Sequence, residues 1–505
     1  MISSISPNAS AKNVSLLAAV VVLVVHLIGN PHYGFFRDEL YFIICGRHPA
    51  WGYVDQPPLT PLLAAATQLF GHSLFLLRLV PALCAAATVY ITCLLVLEMG
   101  GGTFAMILGS IGSALAPVLI AFGSKQGPDM LEMPLWPLAA LCVLRVTTGR
   151  DPRWWLAAGL AIGIAFQSKY SVVFFAVALL AGLLISPQRT AMASKWFWAA
   201  CGIAILVALP NILWQAHYGF PMLELLRNGQ QGKNIVLSPV QYIFSQFDLL
   251  NPVLALTAVA GVVWLIREWP LRWLAYGYLI LIAMMIATHG KHYYPASIYP
   301  ILFAAGGCGL EVWCSRIRIL RPIIAAVALL FGLVSLPAVL PVLSIDRYIA
   351  YARALHIGAS TSEHHKMRSL PQDYADMHGW PEMAAAVAAV YKKLPPADRA
   401  RAVIIADNYG EAAAIDFFGE QYGLPPAISG HNQYFLWGPR GYDGSVVIKI
   451  PGEAADMHKY CTRSFQAAVF SNPLGMAYED NAPIFVCYGV RPPLGQLWPK
   501  LKDYN

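Results

Sequence analysis

Gly34–Pro61 reads GFFRDELYFIICGRHPAWGYVDQPPLTP, and it sets Arg37, Asp38, Glu39, Arg47, His48 and Asp55 directly after an apolar run. That run, Val14–Ile28, has only Ser15 and His26 as polar side chains, and with its flanks it approaches the ~20 residues that cross a bilayer core. Ionisable groups beside a membrane span are costly and need a reason. Asp38 and Glu39 are adjacent carboxylates, Asp55 is a third, and Phe35, Phe36, Tyr41, Phe42, Trp51 and Tyr53 are interleaved with them. Carboxylates among aromatic rings at a lipid surface suit a site for a polar, ring-shaped substrate.

Composition supports a membrane setting. The chain has 505 residues, 57% hydrophobic and only 12% charged, with mean hydropathy +0.55. Soluble domains carry about 25% charged residues, so the fold expected is a polytopic α-helical membrane protein. The net charge of +7 reflects loop topology, and nucleic acid is not an expected partner. The nine cysteines show no CxxC or Cys/His metal spacing. Seven of them, Cys45, Cys84, Cys93, Cys142, Cys201, Cys308 and Cys314, lie in or beside apolar segments as small hydrophobes. The first apolar run is read as a retained helix, since no small-residue cleavage site follows it.

Further apolar segments recur at Leu74–Leu97, Phe104–Phe122, Met130–Val146, Trp154–Phe166, Ser171–Ser186, Trp196–Leu213, Val240–Ile266, Trp273–Ala287, Ala296–Val312 and Ile323–Leu343. With the first, they predict about eleven transmembrane helices. Alternate connections are basic: Arg145, Arg150 and Arg153; Arg189 and Lys195; Arg267 and Arg272; Arg316, Arg318 and Arg321. The positive-inside rule makes these cytoplasmic. The loops at 31–73, 123–129, 167–170, 215–239 (with Glu224, Arg227 and Lys233) and 288–295 are then extracytoplasmic, and they hold the unusual polar residues. The expected division is a transmembrane domain over 1–343, containing the first outer loop at 31–73, and a domain over 344–505.

From Ser344 onward polar residues become frequent, and strand-like and helix-like segments alternate, as in a soluble α/β domain. Trp380-Pro381-Glu382 opens a helix, Ala402–Ala406 reads as a strand, Glu411–Phe418 as a short helix, and Val446–Ile450, Phe465–Phe470 and Ile484–Tyr488 as strands. An odd number of spans from a cytoplasmic N-terminus puts this domain outside, where a disulfide between Cys461 and Cys487 is permitted.

The pattern DExYF at Asp38–Phe42, followed by YxDxPPL at Tyr53–Leu59, resembles the first extracytoplasmic loop of the polytopic GT-C glycosyltransferases. The likeness is greatest to bacterial relatives of the protein O-mannosyltransferases (glycosyltransferase family 39) and to the lipid A aminoarabinose transferases. Ser168-Lys169-Tyr170, Lys291-His292-Tyr293-Tyr294-Pro295 and Asp407-Asn408-Tyr409-Gly410-Glu411-Ala412 are similar to segments of bacterial members. The resemblance implies a multi-pass protein of the inner membrane. It also implies inverting transfer of a sugar from a polyprenyl-phosphate donor to an extracytoplasmic glycolipid, polysaccharide or protein. Asp38 stands where the family places its catalytic carboxylate, with Glu39 beside it orienting the acceptor or Arg37. Asp55 matches a position that lines the sugar site or holds a metal, so a divalent ion is a candidate cofactor. One departure matters: Gln56 stands where aminoarabinose transferases have lysine, so their donor specificity does not carry over.

The chemistry asks for the same groups. Such a transfer needs a base for the acceptor proton and cations for the departing phosphate. Asp38 and Glu39 supply carboxylates, and Lys169 and Lys291 are lysines at outer helix ends. Arg37, Tyr41, Tyr53, Asp55, His292 and Tyr293 are the remaining candidate substrate contacts. Plainer readings exist for each: a solvated helix start for Asp38 and Glu39, a turn for Asp55, snorkelling for the lysines, and an aromatic belt for the tyrosines. Asp129 reads equally as a helix cap or a substrate contact. A transporter or lipid-linked sugar flippase is the competing function, but transporters place ionisable sites at the bilayer midplane in repeated halves, and no second half mirrors the first here. A polymer-binding assembly protein would not need so many spans.

Overall fold

A computed structural model describes residues 9–358 and 368–505. By their contacts these form two compact units, one of residues up to His32 with 75–214 and 236–344, the other of residues 33–74, 215–235 and 345–505. The sequence reading groups 31–73 with the transmembrane part. Residues 33–74 instead pack with the C-terminal residues, because the helix Arg37–Arg47 buries Leu40, Tyr41, Phe42, Ile43 and Ile44 against the helices Leu59–Thr67 and Tyr409–Phe418.

The first unit is helical and apolar. Among the described residues, seven helices are long and apolar enough to cross a membrane: Lys12–Gly29, Leu74–Glu98, Asp129–Thr147, Lys195–His217, Trp269–Ala287, Ala296–Trp313 and Leu320–Ala338. The total becomes ten if three bent pairs each count as one span, and Trp154–Phe166 adds a shorter apolar helix. The bends fall at prolines, which lack an N–H and push the preceding residue out of the helical region. Thus Thr103–Leu115 turns by 60° into Pro117–Ser124, and Pro239–Leu250 turns by 113° into Pro252–Arg267. The run Val240–Ile266, expected as one span, is therefore two helices. Asn251 makes the corner at φ 61°, and its side chain caps the second helix by accepting from the Leu254 N–H at 3.0 Å.

With lipid on the outside, such helices gain their cohesion from close packing. Helices Pro252–Arg267 and Tyr299–Trp313 meet at Gly306, where an added Cβ would collide with the Thr257 carbonyl. The end of the first span is fixed by buried Arg78, which donates to the carbonyls of Asn30 (2.6 Å) and His32 (3.3 Å).

The second unit holds a four-stranded sheet: β1 (Ala402–Ala406), β2 (Val446–Ile450), β3 (Cys461–Phe470) and β4 (Ala482–Val490), in the order β1-β2-β4-β3. β1 and β2 are parallel, in register Ile404 with Ile448, and the other pairs are antiparallel. β1 and β2 are almost wholly apolar and buried, as expected of strands covered on both faces. Trp380–Lys393 and Tyr409–Phe418 are the helices expected here. Cys461 and Cys487 form a disulfide, Cα atoms 5.7 Å apart, between β3 and β4. The fold is thus a polytopic membrane protein with a C-terminal α/β portion.

Candidate active site

The helix Arg37–Arg47 begins with its own cap. Glu39 is fully buried and accepts from the Phe36 N–H at 2.8 Å, satisfying a donor that a helix start leaves orphaned. Its carboxylate is engaged in fixing the helix that carries Asp38. Asp38 itself is about one-third exposed, at 33%. Its Oδ1 accepts from the Tyr409 hydroxyl at 2.8 Å and from Arg37 Nε at 3.4 Å.

Arg37 is buried and held on several sides. Nη1 donates to the Tyr478 hydroxyl at 2.8 Å, Nη2 lies 3.8 Å from Asp376 Oδ2, and the guanidinium sits over the Tyr409 ring at 5.4 Å. Gly410 gives it room, since a Cβ there would run into the Arg37 side chain. Fully buried Glu479 completes this cluster: burial, then the neighbouring Asp376 charge, push its carboxyl well above the ordinary range. Glu411 is also buried and accepts from the N–H groups of Asp407 and Asn408, and burial raises it to about 7.

Tyr41 connects the two carboxylate positions of the loop. Its hydroxyl donates to Asp55 Oδ1 at 2.9 Å, and its ring packs 4.6 Å from that of Tyr409. Tyr53 is fully buried and donates to the carbonyls of Cys45 (2.8 Å) and His48 (3.2 Å), closing the end of the helix, so its hydroxyl serves the loop's own fold. Gln56 is 3% exposed, and neither atom of its amide has a hydrogen-bond partner among the described residues. No group of three or more His, Cys, Asp or Glu side chains is placed to hold a metal among the described residues. Asp55, the metal candidate from the sequence, has Tyr41 as its partner.

The other predicted contacts lie in the membrane unit. Lys169, in the turn between helices Trp154–Phe166 and Val172–Leu184, forms an ion pair with Asp129 at 2.5 Å, both side chains largely buried. Its ammonium also lies over the rings of Tyr294 (4.5 Å) and Tyr293 (5.1 Å). One helical turn beyond Asp129, buried Glu132 accepts from the Ser171 hydroxyl at 2.8 Å. The Lys291–Tyr294 turn is tied through its backbone: Tyr242 donates to the Lys291 carbonyl and Gln246 to that of His292. Burial, then the Lys291 charge, lower the His292 imidazole, leaving it neutral. Lys233 was a further loop candidate; its side chain lies outside the described residues.

Sequence reasoning placed Arg37, Asp38, Tyr41 and Asp55 in one loop and Lys169 with Tyr293 on one face, and within each unit these are neighbours. It did not find Tyr409, Asp376, Tyr478 or Glu479 around Arg37. Only Tyr409 carried a signal, as part of the DNYGEA run.

Comparison with known proteins bears on the whole chain. Residues 55–214 match the family model described as dolichyl-phosphate-mannose-protein mannosyltransferase. The lipid A galacturonosyltransferase RgtD of Rhizobium johnstonii is 25% identical over 301 residues, which is 55% of this chain and 60% of that protein. The match thus spans about three-fifths of the relative's length. Among solved structures, ArnT from Cupriavidus metallidurans bound to undecaprenyl phosphate superposes with a TM-score of 0.61 at 13% identity, covering 95% of this chain and 98% of that one. The same protein in the apo state gives 0.60 at 12% identity, covering 94% and 96%. The fold is similar to that of ArnT over nearly its full length, and the family match runs from Asp55, in the loop after the first span, through the helices up to residue 214.

Proposed function

We infer that this protein is a membrane glycosyltransferase that moves a sugar from a polyprenyl-phosphate donor to a glycolipid on the extracytoplasmic face. The observation that carries the reading is Asp38: a partly exposed carboxylate, oriented by a hydroxyl and a guanidinium, at the start of a loop that follows the first span. The donor class is supported by the undecaprenyl phosphate bound to ArnT, and the acceptor class by the name of RgtD.

In this mechanism Asp38 takes the proton of an acceptor hydroxyl as its oxygen attacks the anomeric carbon. The bond from that carbon to the phosphate oxygen breaks on the opposite face, and the anomer is inverted. Polyprenyl phosphate leaves with the bonding electron pair. In the membrane unit, Lys169 is the candidate cation for the phosphate, which would take the place now held by Asp129.

Incubating the purified protein with a panel of polyprenyl-phosphate sugars and a lipid A acceptor should release free polyprenyl phosphate for one donor. Release from none, with the protein folded, sinks the reading. Orientation has its own test. A cysteine at exposed Glu453 should react with an impermeant thiol reagent in intact cells, as the basic-loop pattern requires, and labelling only after lysis would reverse the topology.

A further inference from the structure

We propose that Tyr409, contributed by the C-terminal α/β portion, is a positioning residue for the transfer reaction and acts through Asp38. The inference rests on Asp38 being the base. Among the described residues two donors reach its carboxylate, the Tyr409 hydroxyl at 2.8 Å and Arg37 Nε at 3.4 Å, and both bind Oδ1. A carboxylate held by one oxygen has its plane and direction set while the other oxygen keeps its lone pairs for the incoming proton. Oδ2 is therefore the basic atom, and the Tyr409 hydroxyl determines where it points. Misplacement by about 1 Å can cost on the order of 10²-fold in rate.

Tyr409 is itself fixed well enough to do this. It opens the helix Tyr409–Phe418, whose cap Asn408 accepts from the N–H groups of Gly410 (2.8 Å) and Glu411 (3.0 Å). The Glu411 carboxylate in turn accepts from the Asp407 and Asn408 N–H groups at 2.9 and 3.2 Å. The Tyr409 ring is 7% exposed, packed 4.6 Å from Tyr41 and 4.9 Å from His431, with the Arg37 guanidinium over its face. A phenol buried this far needs a hydrogen-bond partner, and the direction of the ring delivers the hydroxyl to Asp38. The α/β portion is thereby part of the catalytic apparatus as well as any acceptor recognition it performs.

The test uses the full-length protein in detergent or liposomes with the donor that the panel identifies. Tyr409→Phe keeps every ring contact and removes only the hydroxyl. We expect kcat to fall roughly 10- to 100-fold while the donor KM stays about the same. In an Asp38→Asn background the same change should have no further effect on the residual rate, because the oxygen it orients is no longer a base. Wild-type kcat in Tyr409→Phe, with Asp38→Asn inactive, overturns the positioning role and leaves the base assignment standing. Full activity in Asp38→Asn overturns the base assignment itself. Equal losses in both backgrounds show that Tyr409 acts elsewhere, which also overturns the proposal. A thermal-unfolding cycle of the same four proteins needs no donor: absence of coupling between the two positions removes the contact on which the argument stands.

Discussion

Two clusters bring charge out of water in this molecule, and they do so in opposite ways. Around Asp38 the partners are a neutral hydroxyl and a guanidinium that is itself shared among Tyr478, Asp376 and the Tyr409 ring. The carboxylate keeps partial exposure and is oriented without being neutralised by a dedicated ion pair. Around Lys169 the partner is Asp129 in direct contact, both side chains largely buried and the ammonium over two tyrosine rings. On the proposed mechanism the oriented carboxylate takes a proton, and the buried ion pair holds a cation that the donor phosphate would claim from Asp129.

The sharpest way to break this contrast is Asp38→Asn, which preserves shape and removes basicity. Positioned proton transfer contributes typically about 10²- to 10⁴-fold, and turnover measured on the active donor should fall by at least the lower figure. Glu39→Gln should retain most activity, since glutamine also serves as the acceptor in a capping box. Activity that survives Asp38→Asn but not Asp55→Asn moves the base within the loop.

Lys169→Met tests the stored charge. Removing one partner of a buried pair leaves the other uncompensated, at a cost of about 3–5 kcal/mol, so the single variant should unfold at lower temperature. The double variant Lys169→Met with Asp129→Asn should recover part of that stability, because both members of the ion pair are gone and only the Ser171-bonded Glu132 carboxyl remains. Donor KM should remain raised in the double variant. A double variant with normal KM would reduce the pair to a structural ion pair.

How much of this could be read beforehand follows from sequence distance. Asp38 and Lys169 stand out because ionisable side chains next to apolar spans are expensive wherever the chain folds, and cost is visible in composition. Their partners are not visible in that way. Tyr409 lies 371 positions from Asp38, and Asp129 lies 40 from Lys169. Hydropathy likewise shows that Val240–Ile266 is apolar, but it is Asn251-Pro252 that splits it into two helices at 113°. Tyr53 looked like a substrate contact for its place among loop aromatics, whereas its hydroxyl was needed by two backbone carbonyls at a helix end. Strands β1 and β2 were legible because buried parallel strands are short continuous apolar runs.

The loop unit also titrates. Glu411 is raised to about 7 by burial, and Asp416, also buried, to about 6. For a carboxyl raised in the folded state, the unfolded chain ionises first. Stability is therefore full below the unfolded value near 4.5, falls as pH climbs toward 7, and is level above it. Glu411 alone should contribute about 2–3 kcal/mol to that fall. Thermal unfolding between pH 4.5 and 7.5 should show the slope in the wild type and a shallower one in Glu411→Gln. An unchanged slope would locate the titration elsewhere.

The smallest expected effect belongs to Gln56, and it sharpens the comparison because this residue has neither kind of partner. Its amide is buried with no hydrogen bond to N or O among the described residues, a state that costs about 1–3 kcal/mol per unsatisfied group. A bound donor is one group that would complete it, and the resemblance to the aminoarabinose transferases sets a lysine at this position. Gln56→Met fills the same space without polar atoms. If the amide waits for the donor, the variant should be more stable than the wild type, by about 1 kcal/mol, and should show a several-fold higher donor KM with kcat little changed. Gain of stability with unchanged KM would make Gln56 a structural defect that the fold tolerates. Loss of stability would mean that the amide has a partner in the ligand-free protein, a bound water for instance, and the reading of this position would fail.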